Sequence, residues 1–91
     1  MTTQAEIWTR QNPQCPYCTR AKALFAQLNI PYQEFILGTP ATTELEPHQQ
    51  LGDRDTLLQR APNARTVPQI WLDGEYVGGY DDLVKHAKVT G

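Results

Sequence analysis

A third cysteine is missing from this 91-residue chain, which holds two cysteines, one methionine and two histidines. Four-thiolate metal sites are thereby excluded, since Cys15 and Cys18 supply at most half of one. An excess of basic charge is missing too. Eight Lys and Arg face ten Asp and Glu, for a formal charge of -2, so nothing asks for a phosphate backbone and no nucleic-acid partner is expected. No apolar run approaches the roughly 20 residues that a membrane helix needs, so no membrane partner is expected either. Met1 to Glu6 has neither a basic head nor an apolar stretch, the reverse of a secretory leader. A reducing, cytoplasmic address follows as the expectation, and there two cysteines so close in sequence are seldom a structural crosslink. The length suits one domain, 1–91, burying about 60–65% of its unfolded surface. With 40% hydrophobic residues, four Tyr, two Phe and two Trp, a modest core is within reach without staples.

Period and punctuation outline the elements. Glu6-Ile7-Trp8-Thr9 reads as a strand. Gln11 to Gln14 is a polar loop with a proline. Tyr17, Ala21, Leu24, Phe25 and Leu28 mark one face of a helix, with Arg20, Lys22 and Gln27 left for water. Pro16 suits its first turn and Asn29-Ile30-Pro31 ends it. Tyr32 to Leu37 forms a second strand, broken at Gly38-Thr39-Pro40, so the opening is a βαβ unit with parallel pairing. Between them, Thr43 and Glu46 resemble a capping box, and a broken helix over 41–51 is expected, ending at Gly52. Asp53 or Asp55 would cap a further short helix carrying Leu57, Leu58 and Ala61, stopped at Pro62-Asn63. Val67 to Leu72 and Glu75 to Val77, joined by Asp73-Gly74, predict a hairpin with a type I′ turn. Gly78-Gly79 ends it, and a last helix presents Leu83, Val84 and Ala87. The expected fold is α/β: β-α-β, a helical segment, then β-β-α, a four-stranded mixed sheet flanked by helices.

Cys15-Pro16-Tyr17-Cys18 stands where the first strand meets the first helix. A sulfur there meets unpaired N–H groups and the positive end of the helix dipole. Both favour the thiolate, so the pKa of Cys15 is expected below the ordinary value of about 8.5. Cys18, a turn further in, is expected to be less exposed and to resolve the mixed disulfide that Cys15 forms. No metal is expected, because His48 and His86 lie far along the chain from the cysteines. Arg10 could hold the thiolate, bind a substrate carboxylate or simply be a solvated loop residue. Tyr17 is either core packing or a platform beside the sulfur.

Pro68 at the start of a strand needs a reason. Either the bond after Val67 is cis, leaving the Val67 backbone free to pair with an extended peptide, or the proline guards a sheet edge. Gly78-Gly79-Tyr80-Asp81-Asp82 puts free N–H groups at a helix start, a receptor for a carboxylate. Asp81 and Asp82 either cap that helix or accept from a ligand ammonium. Trp8 and Phe35 read as sheet core, Trp71 as belonging to either face, and Lys85, His86 and Lys88 as a solvated helix surface.

Taken together, Cys15-Pro16-Tyr17-Cys18, Thr66-Val67-Pro68-Gln69-Ile70 and Gly78-Gly79-Tyr80-Asp81-Asp82 resemble the glutaredoxin family, as does Arg20-Ala21-Lys22. The resemblance covers nearly the whole chain. It implies a thioredoxin-like fold and a glutathione-dependent dithiol–disulfide oxidoreductase, regenerated by glutathione and, behind it, NADPH-dependent glutathione reductase. Cys15 would be the nucleophile and Cys18 the resolving thiol. The Val67 backbone, beside a cis Pro68 ordered by Thr66, would pair with the glutathione cysteine. The Tyr80 and Asp81 backbone N–H groups, with an Asp81 or Asp82 carboxylate, would hold the γ-glutamyl end, with Gly79 in the same glutathione site; Arg10 could meet the glycine carboxylate, and Tyr17 would flank the sulfur. A monomer acting on disulfide-containing proteins is implied.

Two departures stand out. The loop between Arg10 and Cys15 is longer than the family's, which places the reach of Arg10 in question. The proline-interrupted 38–64 segment resembles that of bacteriophage glutaredoxins that serve ribonucleotide reductase, which would put the protein in a bacterial or host cytoplasm. Alternative readings are a thioredoxin-type reductant recharged by a flavoprotein thioredoxin reductase, and a carrier whose iron–sulfur cluster bridges two subunits through Cys15 and two glutathiones. The second cysteine and Pro16 speak against the carrier. A purely structural or interaction module would leave the helix-start thiolate without use.

Overall fold

A computed structural model of the chain describes residues 4–11, 15–40 and 44–90, with the side chains of 87–90 set aside. Asn12 to Gln14, Thr43 of the expected capping box, and the side chains of Ala87 and Lys88 therefore lie outside the described residues. The elements run β1 (Ala5–Arg10), α1 (Pro16–Gln27), β2 (Tyr32–Leu37), β3 (Gln49–Leu51), α2 (Arg54–Arg60), β4 (Gln69–Leu72), β5 (Glu75–Gly78) and α3 (Tyr80–Thr90). They build the mixed sheet of the thioredoxin-like fold, in the order β3-β2-β1-β4-β5. β1 pairs parallel with β2 and antiparallel with β4, placing Ile7 between Glu34 and Ile70. At the two edges, β3 pairs parallel with β2, and β5 antiparallel with β4.

The alternation of side chains along β1 divides the core. Ala5 and Ile7 pack with Ala21, Phe25, Ile70, Leu72 and Leu83 beneath α1 and α3. On the opposite face Trp8 packs with Leu57, Ala61 and Trp71 beneath α2. Trp8 and Phe35 are stacked, with ring centroids 4.6 Å apart. Trp71, which the sequence allowed on either face, belongs to this second cluster and lies under the Arg60 guanidinium, 4.3 Å from its ring.

Helix α1 begins at Pro16, where the missing N–H has no partner to lose. Its end owes more to Asn29 than to Pro31. Asn29 takes a left-handed φ of 57°, and the Ile30 and Asn29 amides donate to the Phe25 and Ala26 carbonyls, closing a Schellman cap. The buried face is narrower than the periodicity suggests: Cys18, Ala21 and Phe25 are buried, whereas Tyr17 and Leu28 are exposed. Lys22, assigned to water by that periodicity, instead reaches the buried Glu34 carboxylate at 3.1 Å.

The middle segment departs most from expectation. In place of the end of a broken helix over 41–51, residues 49–51 are a strand, which makes the sheet five-stranded rather than four-stranded. The Glu34 amide donates to the His48 carbonyl, and the Gly52 amide to the Ile36 carbonyl, so pairing with β2 outweighs the local helical pattern. The short helix α2 follows as expected. Asp53 occupies its cap position, receives the Thr56 hydroxyl at 3.1 Å, and makes no side-chain bond to the backbone. The hairpin is also as read, with Asp73 and Gly74 both at positive φ, as a type I′ turn requires.

Candidate active site

Cys15 occupies the N-cap of α1 in extended geometry, and its sulfur accepts the Cys18 amide at 3.2 Å. A helix start leaves such N–H groups without backbone partners, and here one of them points at the sulfur. Cys15 and Cys18 form a disulfide, their Cα atoms 5.3 Å apart. Both residues are buried, Cys15 at 5% exposure and Cys18 at 2%. The asymmetry expected between them lies in access rather than area: Cys15 lines an open cleft of about 560 Å³, and Cys18 does not.

The bond between Val67 and Pro68 is cis, and Pro68 is buried. The Val67 carbonyl oxygen lies 3.6 Å from Cys15 Sγ. Because β4 sits between β1 and β5, Pro68 precedes an interior strand, and the edge-guarding reading does not apply. The turn is braced by Gln69, whose Nε2 donates to the Thr66 carbonyl at 2.8 Å. The Tyr76 hydroxyl in turn donates to Gln69 Oε1. Burial and, after it, the negative charge of Asp82 raise the pKa of Tyr76 above the usual tyrosine range, which keeps that donor protonated.

Across the cleft, α3 starts at Tyr80, with the Leu83 amide donating to the Gly79 carbonyl at 3.0 Å. Gly79 is thus the cap residue, and Asp81 and Asp82 belong to the first helical turn rather than capping it. Gly78, at φ 120°, lies beneath the Asp82 side chain, where an added Cβ would come within 3.0 Å of Asp82 Cγ. A side chain on Gly79 would begin 3.5 Å from the Pro68 carbonyl, an ordinary contact, so of the pair only Gly78 is required as glycine.

Every site residue singled out in the sequence reaches this cleft or its disulfide: Arg10, Tyr17, Thr66, Val67, Pro68, Gly79, Tyr80, Asp81 and Asp82 line it with Cys15. Arg10 reaches it in spite of the long loop. Tyr17 is half exposed, with its ring centroid 6.0 Å from that of Tyr80 and the Arg20 guanidinium 5.3 Å above it, so it lines the cleft instead of filling the core. Sequence reasoning missed Arg65, Gln69 and Tyr76, which also line the cleft. The available signal was Gln69, a polar residue opening the otherwise apolar strand Gln69–Leu72 and buried there. Among the described residues no group of three or more His, Cys, Asp and Glu is placed to hold a metal.

A cysteine pair closing the first turn of a helix, on a thioredoxin-like sheet and open to a cleft, defines a thiol–disulfide oxidoreductase. The glutaredoxin family model matches residues 5–77, and the chain belongs to the glutaredoxin family. It is 36% identical over 78 residues to glutaredoxin 3 of Escherichia coli K12, covering 86% of this chain and 78% of that one. Its fold is similar to that of glutaredoxin 1 from Francisella tularensis, with a TM-score of 0.69, 28% identity and coverage of 98% and 96%. A buckwheat glutaredoxin–glutathione complex superposes with a TM-score of 0.68, 28% identity and coverage of 97% and 71%.

Proposed function

We propose that the protein reduces protein disulfides and protein–glutathione mixed disulfides with glutathione as reductant, through Cys15 as nucleophile and Cys18 as resolving thiol. Reduced Cys15 gives up its proton to water, and its thiolate attacks one sulfur of the substrate disulfide. A new S–S bond to Cys15 forms as the substrate bond breaks, and the leaving sulfur takes up a proton. With a protein disulfide, Cys18 then attacks Cys15, closes the internal disulfide and releases the second substrate thiol. Two glutathiones reopen the internal disulfide and leave as glutathione disulfide, so two electrons pass from glutathione to substrate. A glutathionylated substrate needs only Cys15, with a second glutathione removing the first.

The observation that carries this reading is the convergence on one cleft of Cys15 Sγ, the Val67 backbone and the start of α3. Val67 can pair its backbone with the cysteine of the tripeptide as an added strand would. The amides of Tyr80 and Asp81, in the first turn of α3, suit the γ-glutamyl carboxylate, and the Asp81 or Asp82 carboxylate suits its ammonium. Arg10 meets the glycine carboxylate at the other end, Thr66 and Gln69 order the turn, and Tyr17 and Gly79 shape the walls. The complex of the buckwheat relative with glutathione supports the same choice of reductant. A monomer in a reducing cytoplasm, donating electrons to ribonucleotide reductase among other disulfide proteins, fits this chemistry. No helix among the described residues is long and apolar enough to cross a membrane.

The test supplies one disulfide substrate with glutathione, glutathione reductase and NADPH, or with thioredoxin reductase and NADPH. Turnover through glutathione alone is expected. Turnover through thioredoxin reductase alone would keep the Cys15–Cys18 chemistry and remove the glutathione pocket.

A further inference from the structure

Of the four tyrosines, Tyr17 and Tyr80 face each other, with ring centroids 6.0 Å apart and planes inclined by 38°. Tyr32 instead meets Phe25 and His48, and Tyr76 meets Trp71. Tyr17 lies in the first turn of α1 and Tyr80 opens α3, so the pair joins the two helix starts that line the cleft of Cys15. Tyr17 is exposed and Tyr80 half-buried, whereas both indoles, Trp8 and Trp71, are buried. An oxidant arriving from solvent therefore meets a phenol before it meets an indole. Tyr76 is as exposed as Tyr17, but its hydroxyl proton is engaged with Gln69. Neither Tyr17 nor Tyr80 donates its hydroxyl to a protein acceptor among the described residues, so their protons are free to pass to water.

We infer that Tyr17 and Tyr80 form a coupling site for one-electron oxidants of radical type, and that the state of the Cys15–Cys18 pair decides the outcome. While the cysteines are thiols, sulfur repairs the rings; once they are a disulfide, the rings join and close the cleft. The oxidant removes one electron from each phenol, and each hydroxyl proton goes to water. In the disulfide form the two phenoxyl rings bond through the carbons beside their oxygens, and the hydrogens displaced there move to the oxygens. Two electrons and two protons have then left the chain for one new C–C bond. In the dithiol form Cys15 and Cys18 each give a hydrogen atom to a phenoxyl oxygen, both phenols are restored, and the two sulfurs join as the disulfide. Coupling is within reach because the terminal torsion of a tyrosine is broad and exposed side chains turn quickly, so rotation alone can close the gap between the rings. The sulfur is placed to intervene because Cys15 lines the same cleft and caps the turn that carries Tyr17.

Azidyl radicals, delivered in counted doses by pulse radiolysis to dilute protein, test this in both states, with dithiothreitol used to prepare the dithiol form and then removed. The disulfide form should develop dityrosine fluorescence from the first dose. Its mass should fall by two hydrogens with no dimer formed, and its digest should join the peptides of Tyr17 and Tyr80. The dithiol form should stay dark for two oxidising equivalents per chain, one for each of its two cysteines, and then follow the same course. Tyr17→Phe and Tyr80→Phe should each lose the link, and Tyr76→Phe should keep it. Turnover of a disulfide substrate, with dithiothreitol as reductant, should fall in step with the linked fraction. A link through Tyr76, a link between chains only, equal onset in the two states, or full turnover by linked chains would overturn the inference. No glutathione enters any of these reactions, so such a failure is separate from a failure of the glutathione-dependent reading.

Discussion

Glu34 and Cys15 both adjoin α1, and the molecule treats them in opposite ways. Glu34 is fully buried, yet its carboxylate accepts the Thr9 hydroxyl at 2.6 Å, the Lys22 ammonium at 3.1 Å and the Gln49 amide at 2.9 Å. Burial pushes its pKa up, but the bonds from Gln49, Thr9 and Lys22 and the charge of Lys22 overcome it and hold the group below 4.5. Cys15, at the head of the same helix, has one amide on its sulfur and faces an open cleft. A carboxylate held by three donors and closed off from solvent is inert and structural. A sulfur with one donor and an open side is free to attack once its disulfide is reduced. Reactivity in this fold comes from what was left unpaired.

The largest effect should come from removing the open sulfur. Cys15→Ser should lower turnover of every disulfide substrate by more than about a thousandfold, because an unactivated hydroxyl is a poor nucleophile. Cys18→Ser should block reduction of dithiol-forming protein disulfides and spare small glutathione mixed disulfides. Loss of both in a coupled NADPH assay would show that Cys18 does more than resolve.

Removing the closed anion should do the reverse. Glu34→Gln should cost about 1–3 kcal/mol in urea unfolding, since it leaves the Lys22 charge without a partner and one donor facing another. Activity per folded molecule should hardly change, and a loss of activity at unchanged stability would break the contrast. The pH dependence gives the sign. With its folded-state pKa lowered, the Glu34 carboxylate contributes stability that is fully present above 4.5 and is lost as the pH falls through the lower folded-state value. Urea midpoints for the unaltered protein should therefore drop on acidification in that window, and those of Glu34→Gln should drop less.

The smallest effect concerns the brace behind the Val67–Pro68 turn. Tyr76→Phe removes the donor to Gln69 and leaves the Thr66 turn held by one bond fewer. A two- to fivefold rise in KM for glutathione substrates, about 1 kcal/mol or less, is expected with kcat unaltered.

The open site was far more legible in the sequence than the closed one. Cys15 and Cys18, the Val67-Pro68 turn and the Gly78-Gly79 start of α3 each carry a local chemical signature, and each sits at the end of an element whose period is clear. Glu34 carries none. It occupies a strand position among Tyr32, Phe35 and Ile36, and its partners come from β1, α1 and β3, up to 25 residues away. The same distance hid β3. Gln49, Gln50 and Leu51 have no strand pattern of their own and become strand only where β2 offers its edge, with Gln49 anchored on the Glu34 carboxylate. Gly52 belongs to the same lesson: a side chain there would start 2.7 Å from the Trp8 ring, a contact that no local pattern announces.

The division of aromatic residues between the two faces of the sheet makes the molecule its own optical gauge. Both indoles, Trp8 and Trp71, sit on the α2 side and neither lines the cleft, whereas three of the four phenols, Tyr17, Tyr76 and Tyr80, do line it. Excitation at the red edge, where only tryptophan absorbs, therefore follows unfolding of the α2 side. Trp71 also meets the ring of Tyr76 at 5.0 Å, so its emission links that side to the wall of the cleft with no label attached.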